Sequence, residues 1–264
     1  MRAVAEGATL VGTVRVLAVL FAGYLVLLQP VVGAWSHHRF RRSRGDPAAR
    51  LRRYSRTVAV EWTLAALALA LVAAAPGLDL GDVGVCWPRL SAYTVVGAVG
   101  LLLSVGLLVG LRRRIDRGVQ VVAPVEVSAL LPRTPTERRA FAGLAVTAGV
   151  AEELLYRGVL LGVAVTLAPG LTPWRLVLVS ALAFAVAHTY QGVAGMLTSL
   201  VLGGSLAVLF LGSGSLLLPV LYHVLVDLRL LVLAVDRHRP RHRAPRAGGA
   251  PSGQAVPGER GRVR

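Results

Sequence analysis

The sequence predicts an all-α polytopic transmembrane bundle of about seven spans. Apolar residues fill 55% of its 264 positions and charged residues only 16%, where an ordinary soluble domain carries about 25% charged residues. Mean hydropathy is +0.65. Apolar runs recur that are long enough, at about 1.5 Å per residue, to cross roughly 30 Å of hydrocarbon.

The spans are placed by these runs and their breakers. The first is expected over 8–32, with Arg15 near enough to one end to snorkel. A basic loop, 36–56, follows. The second span covers 57–75 and contains Glu61. A loop with Asp79, Asp82 and Arg89 leads to the third span, 91–111. The stretch 112–139 is basic, and its prolines oppose a continuous helix. Thr136 beside Glu137 reads as a helix start, since acidic residues favour that end. The fourth span runs from there to 167, and Pro169 to Pro173 breaks the chain. The fifth covers 174–189, the sixth 192–211 and, after the turn Ser213-Gly214-Ser215, the seventh 215–235. The organisation is thus N-terminal helices and basic loops over 1–131, a helical core over 132–235, and an Arg/Pro/Gly tail over 236–264 expected to be disordered.

The net charge of +16 does not indicate nucleic acid. All 29 basic side chains are Arg, and they concentrate in 36–56, 112–139 and the tail. With seven spans these regions fall on one side, which predicts an N-out, C-in topology by the positive-inside rule. Trp87 and Trp174 are read as interfacial anchors, Gly203-Gly204 as a close helix contact, and the arginines as contacts to anionic lipid in the bilayer. Cys86 is the only cysteine, so no intrachain disulfide forms. The absence of Lys and Asn fits a GC-rich coding genome, hence a bacterial plasma membrane. No cleavable signal peptide is expected.

Four ionisable residues stand deep in apolar helix: Glu152, Glu153, Arg157 and Asp227. Two histidines, His188 and His223, join them. A charge at the bilayer centre costs roughly 2.5–3.5 kcal/mol on the insertion scale, so these groups must be paired. Glu153 and Arg157 are four apart and share a helical face. Glu152 lies about 100° round the helix and is left for chemistry. Phe184 and His188 are also spaced i,i+4, as are His223 and Asp227, where the acid can orient the imidazole. Helix lengths put Glu152 and His223 at similar depth and His188 shallower, so the set can line a cavity open to the cytoplasmic side. Glu61 is expected to pair with Arg15 or lie near an interface.

Glu152-Glu153-x-x-x-Arg157, Phe184-x-x-x-His188 and His223-x-x-x-Asp227, in that order on successive spans, resemble the motifs of the CPBP family. These are intramembrane proteases related to the type II CAAX prenyl endopeptidase and to bacteriocin-processing proteins. The resemblance covers about 132–230. It implies peptide-bond hydrolysis of a membrane protein or peptide. Glu152 and His188 would activate a water, and His223 and Asp227 would polarise the carbonyl or bind a metal. Glu153, Arg157 and Phe184 would support them. The family's last motif position is often Asn. A charged Asp227 cannot donate to an oxyanion, so it is expected to orient His223 or help bind a metal. The resemblance leaves open Zn²⁺ or another divalent ion on Glu152, His188 and His223, beside a metal-free, glutamate-dependent mechanism, which is preferred. No organic cofactor and no nucleic-acid partner are expected; oligomeric state has no signal. The competing readings are a non-catalytic immunity or scaffold protein on the same fold, and an ion-coupled transporter. The latter would call for internal repeats, which are not found.

Overall fold

The computed structural model describes residues 2–43, 46, 48–119 and 128–233, with side chains from residue 12 onward. The expected tail, 236–264, and Pro124 lie outside the described residues.

The described chain is helical, without strands. The helices are α1 (Arg2–Gly23), α2 (Gln29–Arg42), α3 (Ala49–Ala74), α4 (Ala92–Asp116), α5 (Pro135–Glu153), α6 (Leu160–Leu167), α7 (Pro173–Ala187), α8 (Gly192–Ser213) and α9 (Leu217–Leu233). A π-helical segment, Tyr24–Leu28, joins α1 to α2, and another, Leu154–Val159, joins α5 to α6. The described residues thus form seven helical rods. Four stretches are long and apolar enough to cross a membrane: Gly12–Arg42, Ala49–Ala74, Ala92–Asp116 and Thr189–Ser213.

Most of the expected basic loop at 36–56 is helix. The first rod continues through His37, His38, Arg39 and Arg41 to Arg42, and α3 already begins at Ala49. Arginine is a good helix former, so nothing stops the helix at the end of its apolar run. α5 starts one residue before the expected Thr136. Its cap is Thr134, whose Oγ1 accepts from the Glu137 backbone N–H at 3.1 Å, while Glu137 Oε2 accepts from the Thr134 N–H at 3.2 Å. Arg50 on α3 also donates to Glu137, at 3.1 Å. Thr134→Ala should lower stability by about 1 kcal/mol, the usual worth of such a cap, read as a shift in the thermal midpoint of the detergent-solubilised protein.

The rod α5–α6 forms the centre. From Leu154 to Leu161 every residue is buried. α3, α7 and α9 pack around the rod, and α8 lies against α7. Gly149 lets α9 approach α5: a Cβ there would stand 2.4 Å from Val224 Cγ2 and 3.1 Å from the Val224 nitrogen. α4 is peripheral, packed on α8 and α9 and tied by the Tyr222 hydroxyl donating to the Gly97 carbonyl at 2.9 Å. It exposes Val96, Leu102, Leu103 and Leu107, apolar surface that suits a lipid solvent.

The expected breaks at 168–172 and 214 are present. Gly214 ends α8 in the left-handed region at φ +68°, where glycine carries no Cβ penalty. The loop 76–90 meets this turn: Arg89 N–H donates to the Ser213 carbonyl and Leu216 N–H to that of Gly84, each at 2.8 Å. Those two connections therefore lie at one end of the bundle.

Candidate active site

Three rods bring the polar groups together. Glu152 and Glu153 end α5, His188 caps the C-terminus of α7, and His223 and Asp227 lie on α9. The neighbouring π-helical turn is a local feature often found at functional sites. Gly192, at φ +75°, permits the reversal that follows His188.

Glu153 and Arg157 pair as their spacing predicts, with Arg157 Nη1 donating to Glu153 Oε1 at 2.9 Å and both side chains fully buried. The pair is part of a larger network. Arg157 Nη2 donates to the Gly203 carbonyl at 3.1 Å, and the guanidinium carbon lies 4.4 Å from the Phe184 ring centre. Gly203 makes this approach possible, since a Cβ there would lie 3.2 Å from Phe184 Cβ. Phe184 in turn packs on both histidines, with ring centres 4.5 Å from His188 and 5.6 Å from His223.

Both histidines are oriented through Nδ1. That of His223 donates to Glu153 Oε1 at 2.8 Å, and that of His188 to the Phe184 carbonyl at 2.8 Å. A carboxylate and a carbonyl only accept, so each Nδ1 carries a proton. The sequence reading offered Asp227 as the orienting acid, but the carboxylate on Nδ1 is Glu153. Asp227 Oδ2 stands on the other side of the ring, 3.9 Å from Nε2.

The two Nε2 atoms converge on one carboxylate oxygen. Glu152 Oε2 is 3.8 Å from His188 Nε2 and 3.9 Å from His223 Nε2. It is buried and has no hydrogen-bond partner among the described residues. These separations are too long for direct hydrogen bonds and suit a small molecule held between the groups. Two imidazoles and a carboxylate are apt donors for Zn²⁺. Among the described residues no group of three His, Cys, Asp or Glu is already gathered tightly enough to hold an ion.

A cavity of about 160 Å³ reaches Glu152 and His188 from the first two rods. Its walls include Tyr24 and Gln29 near the first π-helical segment, Arg53, Arg56 and Glu61 on α3, and Tyr190. The Tyr156 hydroxyl donates to Gln29, joining the two π-helical regions. Glu61 is therefore not the partner of Arg15 that its sequence context suggested. It is buried beside the site, and Arg15 lines a separate cavity with Val14, Leu71 and Val163. A glutamate inside an apolar span was the available signal, because such residues default to functional positions.

Residues 135–229 match the family model of the Rce1-like type II CAAX prenyl endopeptidases. This segment belongs to that family. The match to the Rce1-like family covers just over a third of the chain, from the start of α5 into α9, and holds Glu152, Glu153, Arg157, Phe184, His188, His223 and Asp227. Glu61 and the other cavity-lining residues of the first two rods lie outside it. Comparison with curated proteins gives no match, and neither does comparison with solved structures. The family match over 135–229 and the four long apolar helices among the described residues point to an integral membrane protein.

The α5–α9 contact controls the spacing of the Rce1-like motifs. Gly149→Ala should push α9 away by forcing Val224 to give, at a cost of about 1–3 kcal/mol. The expected outcome is a lower thermal midpoint together with reduced activity, because His223 moves with its helix.

Proposed function

We propose that the protein is an intramembrane endopeptidase that hydrolyses a peptide bond of a membrane protein or membrane-associated peptide. The observation that carries this reading is the buried, unpartnered Glu152 Oε2 between two imidazole Nε2 atoms at 3.8 and 3.9 Å. The family supports peptidase chemistry.

In this mechanism a water enters between Glu152 and His188, giving one hydrogen to Glu152 Oε2 and one to the lone pair of His188 Nε2. Glu152 takes the proton as the water oxygen attacks the carbonyl carbon. His223, protonated on both nitrogens, donates from Nε2 to the oxyanion, with its charge balanced by Glu153 on the other side of the ring. When the C–N bond breaks, Glu152 returns the proton to the leaving amine. Asp227, near the same Nε2, holds His223 in its cationic form before substrate arrives. No step runs through a metal. In this reading the arginine-rich segments face the cytoplasm of a bacterial plasma membrane, the N-terminus lies outside and the C-terminus inside, and substrate reaches the site from the cytoplasmic half.

Comparative peptidomics of membranes tests the proposal. Termini produced by the wild-type protein should be absent when His188→Ala or His223→Ala replaces it at equal protein level. Unchanged termini would turn the reading toward a non-catalytic scaffold.

A further inference from the structure

Glu61 is the one acidic wall residue of the cavity that the mechanism above does not use. It is 6% exposed, and its Oε2 is buried without a hydrogen-bond partner among the described residues. It lines the same cavity as Glu152 and His188. It lies on α3, outside the segment matched by the family.

A carboxylate buried away from water is costly unless a donor or cation meets it. The chain's own cations are committed elsewhere or lie at another level. His223, cationic in the mechanism, is bonded to Glu153 at 2.8 Å and faces Glu152 and Asp227, and it reaches Glu61 only through space. Arg157 is committed to Glu153. Arg53 and Arg56 line the cavity from the same helix, but they are eight and five residues nearer its N-terminus, about 12 and 7.5 Å along the axis. Arg53 donates to Ser36, and no ion pair joins either arginine to Glu61 among the described residues. The remaining groups of the wall, Tyr24, Gln29, Thr57, Tyr156 and Tyr190, are neutral. The end of the cavity that holds Glu152 therefore presents two carboxylates, and α3 supplies no cation at that level.

Resting on the endopeptidase reading, we propose that Glu61 is a specificity-determining residue that binds a Lys or Arg side chain of the substrate beside the scissile bond. The incoming cation supplies the partner that the fold withholds. A substrate without it leaves Glu61 buried and unpaired, which discriminates against that substrate. Losing one partner of a buried charge pair costs a factor of roughly 30 or more.

The test compares membranes carrying the wild type, Glu152→Ala, Glu61→Gln and Glu61→Lys at matched protein level. The readout is the residue preference around each cut that disappears with Glu152→Ala. The wild type should show Lys or Arg at one fixed position within three residues of the cut. Glu61→Gln should lower the yield of those cuts roughly 30-fold relative to cuts lacking a basic residue, and Glu61→Lys should favour Asp or Glu at that position. Absence of a basic preference in the wild type overturns the proposal and needs no variant to be stable. So does a preference that survives both substitutions. If no cut depends on Glu152, the endopeptidase reading fails first, by a separate readout.

Discussion

Glu152→Gln should leave the protein in the membrane and lower the proposed cleavage by about three orders of magnitude. Glutamine keeps the shape and one acceptor oxygen, so packing against α7 and α9 is preserved. It cannot take a proton from water, and general-base catalysis is typically worth 10²–10⁴ in rate. The side chain is only 14% exposed, and its Oε2 has no structural hydrogen bond to lose. Stability should therefore change little, or rise slightly as a buried charge disappears. Quantifying the termini found only with the wild type, alongside the amount of each protein in the membrane, separates the two effects. Equal cleavage by Glu152→Gln would remove glutamate from the mechanism.

Arg157→Leu has the opposite profile: a loss of folded protein rather than of chemistry alone. The guanidinium is fully buried, pairs with Glu153 at 2.9 Å, and donates to the Gly203 carbonyl at 3.1 Å. Its removal leaves Glu153 with His223 alone and frees the α8 carbonyl. Breaking one side of a buried pair costs about 3–5 kcal/mol, a large share of the stability of an ordinary domain. The expected result is a marked fall in membrane protein level and in thermal midpoint. The double variant Glu153→Gln/Arg157→Met should be more stable than Arg157→Leu, because no carboxylate is stranded beside the lost guanidinium and His223 is free to shed its proton. It should still lack activity, since a glutamine at 153 no longer balances a protonated His223. A double variant as unstable as Arg157→Leu would show that packing volume, and not charge pairing, is what Arg157 provides.

Much of the fold was legible because membrane helices report themselves through composition. The breaks at Pro169 to Pro173 and at Gly214, and the Glu153–Arg157 pair, follow from local rules of turn chemistry and helical spacing. The rods extend past the apolar runs at Arg42 and Asp116, because helix propensity does not end where hydropathy does. The three-motif segment could be read as one site since each motif is an i,i+4 pair on its own helix. The role of Glu153 toward His223 could not, because it joins residues 70 positions apart and depends on how α9 packs. Glu61 was misread for the same reason. Its neighbours in sequence are apolar, and only the packing of α3 beside α5 shows which groups it faces. The π-helical segments were marked in the sequence only by Gly23 and Pro30 around the first and Gly158 within the second, residues that also occur in regular membrane helices.

The Glu153–Arg157 pair also bears on the order in which the protein can be built. Both partners belong to one continuous rod, so opposite charges neutralise each other as soon as that rod forms. Glu152 on the same rod stays without a counter-group until α7 and α9 bring His188 and His223 to it. His223 reaches Glu153 only when α9, the last described helix, has emerged and docked. The ion pair that supports the site can therefore exist before the site does, and the polar cluster is complete only when the last described helix has docked.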